Sequence, residues 1–183
     1  MSTTQKREVE RKFLLRRLPD FPKGMKVTLQ QIQQGYTADN IRYRKQTCLG
    51  GDNPFDTECF RTEKRKVDDI ESIEIEQSIS SKEFAAAPVI KYVKKSRYSW
   101  TEGIFQFTVD VLEDGPVLLE VELLSQEEEQ IARFKAKDIH FDQYLLDELV
   151  LEVTSDGRFK NCELAIPVEP VSWTLGCKAL EWR

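Results

Sequence analysis

Residues 8–13 read EVERKF and residues 118–123 read LLEVEL. Successive side chains of a β-strand leave on opposite faces, so alternation of this kind marks strands. In the first stretch Glu8, Glu10 and Lys12 share one face, with Val9 and Phe13 on the other. In the second, Glu120 and Glu122 are set between Leu119, Val121 and Leu123. The polar face of each strand is fully ionised, where an ordinary wet face mixes in Ser, Thr and Gln.

The pattern recurs along the chain. Arg42 and Arg44 share a face, as do Thr62, Lys64 and Lys66. Glu74 and Glu76 alternate with Ile73 and Ile75, Lys95 pairs with Arg97, Asp110 sits between Val109 and Val111, and Glu152 between Leu151 and Val153. Solvation would explain any one pair. The set, sorted by strand into acidic and basic faces, is satisfied together if the sheet closes and the charges line a shared, water-filled interior. About eight strands enclose room for one small ligand. The expected fold is therefore α+β, mainly β: a closed antiparallel eight-stranded tunnel barrel with a few flanking helices over its apolar outer face.

Strands are predicted near 7–15, 27–36, 40–48, 57–67, 71–79, 94–100, 104–112, 117–124 and 150–155. Turn compositions separate several of them, such as TEG at 101–103 and EDGP at 113–116. Helices are predicted from Ser80 to about Tyr92, after a capping box at Ser125 and Glu128, and over 138–149. Residues 1–165 read as one domain, with 166–183 as a tail packing on or near the barrel.

Composition narrows the chemistry. The 183 residues carry a formal net charge of -5, which argues against a general nucleic-acid or anionic-membrane binder. No apolar run approaches the roughly 20 residues of a membrane helix, and the start lacks a secretory signal. The four cysteines lie far apart without a CxxC pair, so a reduced cytoplasmic protein is expected. A single histidine, His140, leaves little for Ser–His–Asp, Cys–His or histidine-rich zinc chemistry. The working groups must be carboxylates, Lys, Arg and Tyr. Unpaired buried ions cost several kcal/mol each, so the interior needs compensating ligands. Clustered Lys and Arg call for a polyanion. Carboxylates without histidine call for hard cations, Mg2+ or Mn2+. Together they describe a metal–polyphosphate site.

The same segments resemble the CYTH superfamily, the triphosphate tunnel metalloenzymes. EVERKF (8–13) looks like its ExExK signature, followed in the family's order by QQGY (33–36), RYR (42–44), TEKRK (62–66), EIEQSI (74–79), KKSRY (94–98), VDV (109–111), LLEVEL (118–123) and EVTSDGRFKN (152–161). ExExK alone is common; the ordered set across 8–165 is specific. The resemblance implies Glu8, Glu10, Asp110, Glu120 and Glu122 as metal ligands. It implies Lys12, Arg42, Arg44, Lys64 and Arg97 as phosphate-gripping residues, with Lys66 and Lys95 close behind and Tyr36 and Arg158 as further lumen candidates. Lys12, Glu76 and Glu122 are the expected catalytic residues. Glu74 and Glu76 support metal or water positioning.

Thr108 stands where many relatives carry Glu, so the acidic site is one carboxylate shorter. The expected reaction is two-metal hydrolysis of a terminal phosphoanhydride. Inorganic triphosphate is the first expected substrate, thiamine triphosphate the second, and a class IV adenylate cyclase reaction the third. A non-catalytic polyphosphate or nucleotide sensor, or a barrel whose charges merely pair, are the readings of other classes. The expected partner is a small-molecule triphosphate, without nucleic acid or membrane, in a monomer or homodimer.

Overall fold

A computed structural model describes residues 3–49, 55–136 and 139–168. In chain order the elements are β1 (Thr3–Leu15), β2 (Thr28–Tyr36), β3 (Arg42–Cys48), β4 (Thr57–Lys66), β5 (Glu71–Ile79), α1 (Ser81–Ala85), β6 (Lys91–Glu102), β7 (Phe105–Leu112) and β8 (Val117–Leu123). There follow α2 (Glu128–Ala136), α3 (Gln143–Leu146), β9 (Leu149–Glu152), a 3-10 turn (Gly157–Phe159), α4 (Asn161–Leu164) and β10 (Ile166–Pro167).

The strands pair antiparallel in the order β6-β2-β3-β4-β5-β1-β8-β7, and β7 returns to β6. That last pairing closes the sheet, so the eight-stranded barrel expected from the alternation is borne out. Gly103, at φ +59°, makes the tight β6–β7 turn in the left-handed region that glycine adopts at least cost. Strand β1 has more than two partners. Thr3–Val9 pair with β5, Glu10–Leu15 with β8, and Phe13–Leu15 also with β9, which takes over the edge that β5 leaves.

The main core lies outside the barrel wall. Val9, Phe13 and Leu15 of β1 join Trp100, Phe107, Val109, Leu119, Val121 and Leu123 on the outer faces of β6 to β8. Ile131 and Phe134 of α2 and Leu145 of α3 cover them. Full burial of each such side chain contributes roughly 1.5–3 kcal/mol, so the helices are held chiefly by this apolar seam. Trp100, stacked on Phe107, is a packing residue, as its setting in the sequence suggests. Ion pairs fasten the rim of α2, with Lys135 on Asp68 and Glu71 and Arg7 on Glu71 and Glu128.

Three helix expectations are corrected. α1 has the Ser80–Glu83 capping box but ends at Ala85, and the chain is already extended at Lys91. The Pro88 ring cannot continue a helix, and the preceding residue is biased away from it. Of the helix expected over 138–149, the described residues from 139 onward form only the single turn α3 before β9 begins. Helix α2 starts at Glu128, and the Ser125 hydroxyl accepts from the Glu127 backbone N–H at 3.2 Å. The expected tail begins inside the sheet, because Ile166 and Pro167 pair with Tyr92 and Lys91. Trp173, Cys177, Trp182 and the loop glycines 50 and 51 lie outside the described residues. Among the described residues no helix is long and apolar enough to cross a membrane.

Candidate functional site

Residues directly opposite in a ladder point to the same side of the sheet, so register places the charges. Glu10 lies opposite Glu122, Lys12 opposite Glu120, and Glu8 opposite Ser72. Lys64 lies opposite Glu74, Thr62 opposite Glu76 and Arg42, and Arg97 opposite Asp110. Followed around the closed sheet, these pairs put Glu8, Glu10, Lys12, Arg42, Arg44, Lys64, Glu74, Glu76, Lys95, Arg97, Asp110, Glu120 and Glu122 on the inner face. Lys66 sits at the rim, mostly exposed and paired with Asp69.

In this arrangement the inner cations pair with inner carboxylates. Lys64 lies against Glu8, with Glu10 at 3.4 Å and Glu74 at 3.5 Å. Lys12 contacts Glu120 at 2.8 Å. Arg44 donates to Glu76 at 2.9 Å, and Arg42 to Glu74 at 3.2 Å. At the most buried wall, Lys95 Nζ donates to Asp110 Oδ2 at 2.6 Å while Arg97 also grips Asp110 and reaches Glu120 at 3.1 Å.

The pairing is incomplete. Arg42 Nε, Arg44 Nε and Glu74 Oε1 are buried without a hydrogen-bond partner. Guanidinium N–H donors are costly to leave unmet in a buried site. Burial, with Arg42 beside it, pushes Arg44 down to about 10. Burial likewise pushes Lys95 down to about 8, against the pull of Asp110. The basic wall therefore keeps buried donors that its carboxylates do not meet.

The acidic side shows the converse. Burial raises the Glu10 carboxyl, and Glu8 and Glu120 add to the rise against Lys64. Burial also pushes on Glu120, but Lys12 and Arg97 outweigh it and hold that group well below the carboxylate range. Glu8, Glu10, Glu120 and Glu122 offer only hard oxygen donors, which suits Mg2+ or Mn2+. Among the described residues no three potential ligands converge tightly enough to hold a metal in this arrangement. The Lys64–Glu8 and Lys6–Glu122 contacts occupy the same oxygens, so ligation requires those two lysines to swing away. Asp110 differs: two cations already take both its oxygens.

One end of the lumen is apolar. Tyr36, Val93, Leu112 and Leu118 cluster there with Val153, and Leu14, Phe159, Cys162 and Leu164 pack against them. The Tyr36 hydroxyl accepts from Gln34, and burial raises its pKa. Arg158 does not join the lumen; it is 84 % exposed and paired with Asp156. It borders a depression of about 520 Å³ with Gly157, Lys160 and Glu163, on the C-terminal segment. His140 is exposed, in keeping with a surface role.

Several inner residues escaped the sequence reading. Lys6 extends the Glu8-Glu10-Lys12 series by one step, and only the predicted strand start at residue 7 hid it. Gln34 is buried on the inner face, but an uncharged residue gives the alternation no contrast. Phe60, beneath Arg44 with the guanidinium carbon 5.2 Å from its ring centre, looked like an ordinary apolar strand residue.

No family model and no curated protein matches this chain. Among solved structures it is similar to the hypothetical protein NE1496, at 27 % identity over 88 % of this chain and 99 % of that one, TM-score 0.52. It is also similar to PH1819 from Pyrococcus horikoshii OT3 (21 % identity, 69 % of this chain and 83 % of that, TM-score 0.49). A third is a "putative adenylate cyclase" from Vibrio parahaemolyticus (14 % identity, 70 % and 82 % covered, TM-score 0.45). The NE1496 likeness concerns architecture, and that protein's name assigns no activity.

Proposed function

We propose that the chain hydrolyses the terminal phosphoanhydride of a small triphosphate, inorganic triphosphate in the first instance, with Mg2+ or Mn2+. The observation that carries this reading is the pair of buried, unpartnered Nε donors on Arg42 and Arg44. Two forked cations side by side with unspent donors suit phosphate oxygens, which accept from guanidinium in pairs. The ordered CYTH-like motifs add the reaction class.

Arg42, Arg44 and Arg97 would bind the phosphate chain and spread positive charge over the oxygens of the transferred group, where electrostatics supplies most of the rate. Lys12 and Lys64, each now on a carboxylate, exchange that partner for a phosphate oxygen. Glu8, Glu10, Glu120 and Glu122 would hold the divalent ion. When bound there, Mg2+ or Mn2+ supplies charge neutralisation and an acidified attacking water. Glu74 and Glu76 keep Arg42 and Arg44 extended across the lumen and help place that water. Lys66 and Arg158, both exposed, stand outside this binding set.

Phosphate release from inorganic triphosphate, thiamine triphosphate and ATP, each with Mg2+, Mn2+ and chelator, tests the reading. Fast metal-dependent release from one of them supports it and names the substrate. Tight binding without release points to a sensor, and cyclic AMP from ATP to a cyclase. Absence of binding, with no triphosphate-dependent rise in melting temperature, leaves a barrel whose charges only pair.

A further inference from the structure

We infer that the C-terminal segment from β9 to α4 is part of the substrate site, with Asn161 as a positioning residue for Lys95. The inference rests on the triphosphate reading above and extends it to a segment that lies outside the barrel wall.

The segment is tied to two inner cations. The Val153 backbone N–H donates to the Lys12 carbonyl at 2.8 Å, and the Lys12 N–H donates to Thr154 Oγ1 at 3.0 Å. Arg11, next to Lys12, grips Glu152 through Nε at 2.9 Å. Farther on, Asn161 Oδ1 accepts from Lys95 Nζ at 3.4 Å. Between these ties, Val153, Phe159, Cys162 and Leu164 pack on Tyr36, Val93, Leu112 and Leu118, which close that end of the lumen.

Lys95 shows what the contact does. Its side chain is 1 % exposed, and the ammonium carries three N–H donors. Asp110 takes one at 2.6 Å and Asn161 a second. With two directions of a tetrahedral nitrogen fixed, the third is fixed as well. Lys95 stands on the inner face of β6, so the remaining donor is set for an acceptor on a ligand in the lumen. Removal of the Asn161 carbonyl frees the ammonium to rotate about its bond to Asp110, and the preset donor is lost. Asn161 is only half-buried, so the effect is one of orientation rather than of packing.

A double-mutant cycle tests this, on the full chain with inorganic triphosphate and Mg2+. Asn161→Ala should raise KM about tenfold with kcat within about twofold, the loss expected for one hydrogen bond to a charged group. In a Lys95→Met background the same substitution should change KM by less than about twofold, because contacting residues do not add. Equal effects in both backgrounds overturn the positioning role. So does a fall in kcat without a rise in KM, or a loss in Asn161→Ala that a matching drop in ligand-free melting temperature explains. Wild-type protein that neither binds nor cleaves triphosphate brings down the functional reading and this inference with it; wild-type activity with an additive cycle brings down this inference alone.

Discussion

Arg97 and Asp110 meet through two parallel hydrogen bonds, Nε to Oδ1 and Nη2 to Oδ2, each 2.7 Å long. Lys95 adds a third contact to the same carboxylate, which is 1 % exposed. Asp110 thereby serves as the counter-ion of two buried cations, whatever else it does.

Asp110→Ala should accordingly destabilise the protein by about 3–5 kcal/mol in urea unfolding, the cost of leaving buried charges uncompensated. Asp110→Asn keeps the shape and one acceptor, so its loss should be smaller. If Asp110 is chiefly a metal ligand, both variants will instead unfold like the parent and respond poorly to Mg2+.

The neighbouring Arg42 and Arg44 should behave in the opposite way. Arg44 is buried beside a like charge, with one donor unspent. Arg44→Met should raise the ligand-free stability by about 1 kcal/mol, while raising KM for triphosphate about tenfold, a trade of stability for binding. Charge reversal at Arg42 should weaken binding further. A destabilised Arg44→Met protein with unchanged KM would remove both residues from the site.

Glu122 faces Glu10 across the β1–β8 ladder and is held by Lys6. Glu122→Gln should lower turnover at least about tenfold and shift the Mg2+ dependence to higher concentration, with KM within about twofold. Titration of activity against Mg2+ and Mn2+ checks this. A change confined to KM would assign Glu122 to lysine pairing alone.

Acid sensitivity has a definite sign at the α2 rim. The hydrogen bonds from Arg7 and Lys135 hold Glu71 below its ordinary value, and the one from Lys135 does the same for Asp68. A depressed folded pKa gives stability that is present above the ordinary carboxylate value of about 4 and is lost as pH falls through the folded value. Lys135→Met should lower stability at neutral pH and flatten its decline below about pH 4. Denaturation midpoints at several acidic pH values read the slope directly; parallel curves for the two proteins would refute the assignment.

The fold was legible because alternation and turn residues are local signals. EVERKF, RYR and LLEVEL each announce a strand and its two faces, and the strand limits agree with the structure to within a few residues. Closure also followed, since ionised faces of both signs on strand after strand need one shared interior. The pairing inside it was not legible. That Lys64 meets Glu8, or Lys95 meets Asp110, depends on register between strands far apart in sequence, which periodicity within a strand does not carry. The inner face of β2, built from Gln30, Ile32 and Gln34, gave no charge contrast. Residues 138–149 kept helical spacing, yet β9 captured their end because β1 had an edge left over after β5.

The three partners of β1 impose an order on assembly. It precedes every strand it pairs with: its ladders run to β5, β8 and β9, the last of which begins at Leu149. A nascent chain that has produced β5 can satisfy one edge of β1; the second must wait for the rest of the sheet. Closing such distant contacts costs loop entropy and slows folding. During that wait the open edge carries Glu8, Glu10 and Lys12, and inward-pointing charges are a known deterrent to pairing with a foreign strand. The side chains we propose for a polyanion site would thus also protect the half-made barrel from aggregation.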